Sequence, residues 1–280
     1  MTKKSLILDL PYLASSEIIK HMDTRSRFKL AQCSTRAKQT VSIVPLVYTK
    51  VQLTVSRNNT YLKTFDQKNS GIIQIGAINS IMDIQDLVTI LERIFFFKNT
   101  KIKYLHIEAA TKMEKRDQIL SLINTWLSSL KHNLTIESAH FALWDDEDYA
   151  LAFLPHFKPG VLKTMTFKGV NYPKLTKVVQ TEQWKQATRV VMDDTYVPIR
   201  SFQAIPHFVS RKFLKAIEVE ALIEDMLNFG AKERVFQSPT NPFNSNFTIP
   251  YDYNPENKIY TFRRQGMNTQ ILLPNILAQN

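Results

Sequence analysis

Residues 10–41 read LPYLASSEIIKHMDTRSRFKLAQCSTRAKQTV, and the spacing of their apolar side chains predicts two or three short amphipathic helices. The apolar positions fall into three groups: Leu13, Ile18, Ile19 and Met22; Phe28, Leu30, Ala31 and Cys33; and Ala37 and Val41. A unit of about 40 residues or fewer usually needs a partner, a metal or disulfides to stay folded. This stretch has one cysteine and no cluster of metal ligands. The sequence therefore predicts that these helices bind a partner.

The stretch resembles the F-box, whose pattern opens with Leu-Pro, continues with isoleucine or leucine and closes with a Val-Cys-Lys-Arg-Trp-like run. The chain departs from that pattern at Leu13, Thr24, Ser26 and Ala37. The resemblance implies docking on a Skp-type adaptor that bridges to a cullin scaffold. The residues in register that would bind the adaptor are Leu10, Pro11, Ile18, Ile19, Met22 and Leu30. The spacing alone also allows an ordinary helical hairpin that caps the rest of the chain.

A second resemblance lies further along, where residues 155–169 read PHFKPGVLKTMTFKG and residues 181–194 read TEQWKQATRVVMDD. This part is similar to the FTH domain that follows the F-box in a large nematode family. The markers are the Lys-Pro-Gly triplet at 158–160, Leu162, the Glu-Gln-Trp-Lys cluster at 182–185 and the helical run at 219–227. Spacing with Val179 and Ala187 predicts that Trp184 is a buried anchor and does not stack on a ligand.

Composition narrows the class of protein. The 280 residues are 44% hydrophobic, enough for a sizeable core, and the single cysteine cannot form an internal disulfide, which favours the cytosol or nucleus. No apolar run is long enough to predict a membrane span. Residues 1–50 hold nine Lys and Arg against three Asp and Glu, a surplus of +6 out of the net +11. An acidic partner complements such a surface, and no nucleic-acid-binding motif accompanies it, so nucleic acid is an unlikely ligand.

Strand-like and helix-like segments alternate after Pro45, which predicts an α/β layer arrangement with a parallel sheet. Strands are predicted at 46–55, 72–78, 104–108, 134–141, 162–167, 188–192 and 214–219. Helices are predicted to begin at 83, 145 and 172, to span 115–130, and, in the last case, to follow the strand at 214–219 and end at 229. A turn or helix is predicted from 197. Two runs at 259–263 and 269–273 predict a closing β-hairpin.

The starts at Lys103, Leu134, Val161, Thr188 and Phe213 are 31, 27, 27 and 25 residues apart, a repeat-like spacing close to the period of about 20–29 residues of leucine-rich repeats. The predicted fold is a small N-terminal helical F-box module followed by an irregular leucine-rich-repeat-like α/β solenoid. An ordinary α/β domain with incidental spacing remains open. The expected divisions are F-box-like helices at 5–45, a connecting α/β region at 46–104, an FTH-like repeat region at 105–240 and an irregular C-terminal cap at 241–280.

The sequence shows no pattern typical of a catalytic or metal-binding site. Cys33 is predicted on an apolar helix side, and the four acidic residues at 145–148 are predicted to begin a helix, with Asp145 as its cap. The histidines are scattered without zinc-ligand spacing: His21, His106, His132, His140, His156 and His207. No glycine-rich phosphate loop is present. We expect no enzyme activity, no cofactor and no metal.

The two resemblances together imply the substrate-recognition subunit of an SCF-type ubiquitin ligase, which acts in ubiquitin-dependent degradation by protein–protein interaction. The target protein is expected on the solvent side of the strand row. The candidate residues there are Lys103, His106, Lys163, Thr166, Lys168 and Glu218. The alternative from another class is a scaffold or RNA-binding protein that does not engage a cullin complex.

Overall fold

The computed structural model describes residues 10–56, 60–66, 70–76, 81–95, 97–109, 116–143, 147–169, 174–193, 205–210, 233–237, 251–254, 259–264 and 267–272. The helices are α1 Tyr12–His21, α2 Thr24–Cys33, α3 Thr35–Ile43, α4 Ile81–Phe95, α5 Arg116–Ser129, α6 Asp148–Phe153 and α7 Glu182–Lys185. The first six strands are β1 Val47–Val55, β2 Thr60–Asp66, β3 Ser70–Gly76, β4 Lys101–Ala109, β5 Thr135–Ala142 and β6 Thr164–Lys168. The other six are β7 Arg189–Asp193, β8 His207–Ser210, β9 Glu233–Gln237, β10 Tyr251–Asn254, β11 Ile259–Arg264 and β12 Met267–Leu272.

The described strands form one mixed sheet in the order β10-β11-β12-β9-β8-β7-β6-β5-β4-β1-β2-β3. The pairs from β1 through β4 to β9 and β12 are parallel, whereas β2 and β3 at one end and β10 and β11 at the other are antiparallel to their neighbours. Strands β4 to β9 lie side by side in chain order. The α/β class is therefore confirmed, but the sheet is mixed and not purely parallel.

The core forms between one face of the sheet and the helices. Alternate residues of β4 and β5, such as Leu105, Ile107 and Phe141, are buried and belong to the same cluster as Ile123 and Leu127 of α5. Helix α5 packs against α4 and α6. This packing leaves the second set of alternating strand side chains on the opposite face of the sheet.

The helical module α1–α3 shares that core. Ile19, Val41 and Val44 belong to the same buried cluster as the strand residues. Asn99 donates a hydrogen bond from Nδ2 to the Ser42 carbonyl at 3.0 Å, which ties α3 to the turn before β4. The module therefore packs directly against the sheet domain.

Two of the markers in the second half have clear structural roles. The Val161 amide donates to the Lys158 carbonyl at 3.3 Å, and Gly160 has a φ of 74°, which a side chain disfavours. Proline followed by such a glycine is the pattern of a type II turn. This turn leads into the fully buried Leu162 and then into β6.

Several predicted elements differ in the structure. The helix expected from Tyr172 is replaced by two 3₁₀ turns, Lys174–Thr176 and Val178–Gln180, followed by the short α7. The reason is that Thr181 accepts a hydrogen bond from the Trp184 amide at 3.3 Å and so begins a new helix. Strand β2 was not predicted. Strand β10 lies in the region expected to be irregular, whereas the hairpin of β11 and β12 is confirmed.

Cys33 also differs from expectation, because its side chain is exposed. Helix α2 buries Arg27 and Ala31, and a residue two positions beyond Ala31 lies about 200° further round the helix. At the acidic run, Asp145 lies outside the described residues, and Glu147 at the α6 N-cap makes no side-chain cap hydrogen bond. Asp148 instead forms an ion pair with Arg116. The predicted strand at 214–219, the helix after it and the turn from Val197 lie outside the described residues.

Candidate interaction surfaces

The first candidate surface is the exposed part of α1–α3. In the described part of the chain, the exposed large apolar side chains are those of Leu10, Leu13, Ile18 and Ile43, with Leu13 the most exposed at 75%. All four lie within or beside the helical module. Exposed apolar residues concentrated in one module are typical of a surface that another protein covers.

The structure separates the predicted adaptor-binding residues into three groups by exposure. Leu10, Pro11 and Ile18 are exposed, whereas Met22 and Leu30 are partly buried against the core. Ile19 is fully buried, and its side chain packs inside the chain itself.

The buried side of α1 could have been recognised from its serines. Ser15 donates to the Pro11 carbonyl at 3.0 Å and Ser16 donates to the Leu13 carbonyl at 2.8 Å, so both hydroxyls are satisfied within the helix. Both serines are buried, and they lie four and three residues before Ile19, on one helix face. Sequence reasoning missed Leu13 and Ile43 as candidates, since Leu13 departs from the family pattern and Ile43 lies after the stretch at residues 10–41 on which the resemblance was judged.

Arg27 holds the helical module to the first strand. Its side chain is 5% exposed, and its guanidinium donates to the Met22 carbonyl at 3.3 Å and to the Pro45 carbonyl at 3.1 Å. Met22 follows α1, and Pro45 lies between α3 and β1. One buried cation therefore connects α1, α2 and the start of the sheet, which fixes the orientation of the exposed apolar residues relative to the body.

The second candidate surface is the face of the sheet opposite the core, which we call the outer sheet face. Its residues on β2, β1, β4, β5 and β6 are Tyr61, Lys63, Phe65, Lys50, Gln52, Thr54, Tyr104, His106, Glu108, Ser138, His140, Thr164, Thr166 and Lys168. All except the buried Thr54 are partly exposed. The sheet register therefore gathers aromatic, basic and imidazole side chains on a single face.

Two histidines stack at the centre of this face. The rings of His106 and His140 are 4.6 Å apart between centroids and nearly parallel, and Thr166 lies beside His140 on the next strand. On the other side of the pair, His106 Nε2 lies 3.8 Å from Glu108 Oε2, which accepts a hydrogen bond from Thr54 at 3.2 Å. Burial, with a smaller contribution from the Lys50 ammonium, lowers the pKa of His106 to about 4, so this imidazole is neutral at pH 7.

We expect His106 to make stability depend on pH. In the unfolded chain its pKa is about 6.5, so between about pH 6.5 and pH 4 the unfolded state binds a proton that the folded state does not. The free energy of unfolding should therefore fall as the pH drops through that range, with at most about 3 kcal/mol arising from this residue. Urea unfolding of wild type and His106→Gln at pH 7 and pH 5 measures the effect. Burial also lowers the pKa values of His132 and His156, so the difference between the two proteins is the informative quantity, and equal losses in both would contradict the assignment.

The predicted target-binding residues do not all lie on the outer sheet face. His106, Thr166 and Lys168 lie on that face. Lys103 and Lys163, near the starts of β4 and β6, are exposed, but they occupy positions that alternate with the residues of that face. Glu218 lies outside the described residues. Sequence reasoning missed the lysines and rings of β1 and β2, because β2 itself was not predicted.

A groove of about 810 Å³ lies beside α5 and α6, and its lining includes Arg116, Ser121, Thr125, Asp148 and Leu151. Arg116 forms ion pairs there with Asp117 and Asp148. Within the described ranges, no group of three or more His, Cys, Asp and Glu side chains is placed to hold a metal ion. The groove therefore has paired charges at its end and no described metal cluster.

Comparisons with known proteins match the chain to two family models. The F-box domain matches residues 7–48, and the FTH domain matches residues 117–247. A comparison with curated proteins found no match. None of the helices in the described part of the chain is both long and apolar enough to span a membrane. The predicted F-box and FTH resemblances are confirmed, and the order of the two matches is that of an F-box protein with an FTH domain after the F-box.

Proposed function

We propose that this protein is the substrate-recognition subunit of an SCF-type E3 ubiquitin ligase, in the cytoplasm or nucleus, and that it performs no bond chemistry itself. The observation that carries the proposal is the concentration of exposed apolar residues in α1–α3, which match the F-box. F-box domains typically bind a Skp-type adaptor, and through it a cullin scaffold. The residues proposed to contact the adaptor are Leu10, Pro11, Leu13 and Ile18, with Met22 and Leu30 supporting them from the partly buried side.

The mechanism is proximity. A target held on the body is brought near the ubiquitin-charged enzyme, which raises its effective concentration there. The shared core and the buried Arg27 support this role, since they join the adaptor-binding helices to the sheet without a flexible described linker. We further propose that the body is a repeat-like solenoid, because β4 to β9 follow one another in chain order. Its outer sheet face, including His106, Thr166 and Lys168, is proposed to bind the target.

Co-expression with a Skp-type adaptor at moderate salt tests the adaptor role. The double variant Leu10→Glu plus Ile18→Glu places two charges on exposed apolar positions, and we expect adaptor recovery to fall at least tenfold. The matched control is Gln118→Glu plus Asn124→Glu, which adds the same charges at exposed positions of α5. Wild type and control should retain the adaptor equally. Equal recovery with the double variant would contradict the proposal.

A second candidate function is RNA binding without a cullin complex. The net charge of +11 and the lysines of the outer sheet face favour it. Phosphate contacts release counterions, so RNA affinity should fall steeply between low and moderate salt. Binding to an adaptor through apolar helix surfaces should persist over the same range, which separates the two functions.

A further inference from the structure

The outer sheet face carries two lysines whose ammonium groups lie over aromatic rings. Lys50 Nζ lies 5.6 Å from the centroid of Tyr104 and 5.9 Å from that of Phe65, and Lys63 Nζ lies 4.6 Å from the centroid of Tyr61. Such contacts hold a cation in place by its attraction to the ring quadrupole. Both lysines are only partly exposed. The two charges are therefore positioned on the face and do not extend freely into solvent.

The outer sheet face carries more positive than negative charge. The described side chains of the outer sheet face, on β2, β1, β4, β5 and β6, include Lys50, Lys63 and Lys168 against the carboxylate of Glu108, and the next strand, β7, adds Arg189 beside Thr164 and Asp193 beside Lys168. Glu108 accepts a hydrogen bond from Thr54 and lies beside His106. Lys63 is on β2, opposite Gln52 of β1, so β1 separates it from Glu108 on β4. The outer sheet face thus complements a ligand with negative charge.

The spacing of the two lysines suits an extended chain. Lys50 is opposite Phe65 and Lys63 is opposite Gln52 in the antiparallel register, so the lysines are diagonal neighbours. Diagonal neighbours of this kind are about 7–8 Å apart. Lys63 lies over Tyr61 and Lys50 lies near Phe65, four residues further along β2, so the ammonium groups are further apart than the backbone positions. Side chains on one side of an extended peptide recur about every 6.6 Å, so carboxylates two or four residues apart on that side suit this spacing.

The aromatic rings of the outer sheet face are covered by lysines or by each other, which favours a protein ligand over single-stranded nucleic acid. Base stacking needs accessible ring faces. Here Lys50 lies over Phe65 and Tyr104, Lys63 lies over Tyr61, and His106 and His140 stack on each other. A segment that offers carboxylates needs only the ammonium groups of Lys50 and Lys63 and the polar side chains of His106, His140 and Thr166 beside them.

We propose that the outer sheet face formed by β2, β1, β4, β5 and β6 binds an acidic, extended segment of the target protein. Carboxylates at alternate positions of that segment contact Lys50 and Lys63, while the stacked imidazoles and Thr166 lie alongside its backbone. The inference rests on the proposed function, because it names the class of target segment. Its two lysines lie in the stretch between residues 48 and 117, which neither family match covers, so family membership does not assign them a role.

Fluorescence anisotropy on the full-length chain tests the proposal. The probe is a short labelled peptide in which glutamate alternates with threonine, and a peptide with glutamine in place of glutamate is its control. We expect wild type to bind the glutamate peptide, and Lys50→Gln plus Lys63→Gln to bind it about tenfold more weakly. The matched control, Lys131→Gln plus Lys158→Gln, removes the same charge at exposed positions elsewhere and should bind like wild type.

Lys50→Arg plus Lys63→Arg keeps both charges and should bind within about threefold of wild type, which shows that charge and not local packing is measured. Adaptor co-recovery is measured for every variant, so a failure of the F-box role is seen separately. If wild type retains the adaptor but does not bind the peptide, or if both glutamine variants weaken it equally, the inference is wrong. Preferential binding of labelled polyuridylate, lost in Lys50→Gln plus Lys63→Gln, would also overturn it in favour of RNA.

Discussion

Replacing Trp184 by alanine is expected to lower the free energy of unfolding by about 3–5 kcal/mol. The side chain is 2% exposed, and its ring lies 5.8 Å from the ring of Phe167, which belongs to β6. Small to medium domains have total stabilities of about 5–15 kcal/mol, so this loss would leave a large unfolded fraction at physiological temperature. Urea unfolding followed by far-UV circular dichroism measures it.

Trp184→Phe is the control for this prediction. It keeps an aromatic ring against Phe167 and removes less volume, so its loss should be clearly smaller than that of the alanine variant. A loss below about 1 kcal/mol for alanine would show that Trp184 does not anchor the FTH region. Gln183 should behave as a second anchor, since its side-chain amide donates to the Phe157 carbonyl at 2.8 Å while buried.

Arg27→Met is expected to destabilise the chain by about 3 kcal/mol. Methionine keeps the apolar stem but removes the guanidinium, which leaves the carbonyls of Met22 and Pro45 without these charged donors. A buried acceptor that loses its partner costs about 1–3 kcal/mol. The buried acceptor here is the Val44 carbonyl, 3.5 Å from the guanidinium, and the partly buried carbonyls of Met22 and Pro45 add to the loss. Because the same side chain joins the helical module to β1, adaptor recovery should fall with stability.

The control here is Arg27→Lys, which keeps the charge but cannot reach both carbonyls with a rigid fork. Its loss should lie between those of wild type and Arg27→Met in the same urea titration. If methionine is tolerated within about 0.5 kcal/mol, the carbonyls are satisfied in another way and the proposed rigid link between module and body is wrong.

Patterns within single elements predicted much of the fold. Alternation of apolar and polar residues located β4 to β7 within about three residues, and two short strand-like runs located the hairpin of β11 and β12. The Glu-Gln-Trp-Lys cluster was interpreted as structural, which the burial of Trp184 confirms. These predictions succeeded because the signal for each element is contained in its own residues.

Features that depend on packing between distant segments were not predicted. Ile18 and Ile19 are adjacent and equally apolar, and only the position of the sheet decides that Ile19 enters the core. Arg27 resembles any surface cation in the sequence, yet its partners lie at Met22 and at Pro45, 18 residues away. The outer sheet face likewise requires the pairing of β2 with β1 and of β1 with β4, which joins residues about 50 positions apart.

The central claim, that α1–α3 bind a Skp-type adaptor, is tested most directly by titrating the purified full-length chain with a purified adaptor in a calorimeter at moderate and at high salt. We expect saturable one-to-one binding whose affinity changes little with salt, because the proposed contact is mainly apolar. Because apolar burial carries little heat near 25 °C but a large heat-capacity change, the titration is made at about 15 °C and about 35 °C. No heat of binding at either temperature, or binding that disappears as salt is raised, would contradict the account.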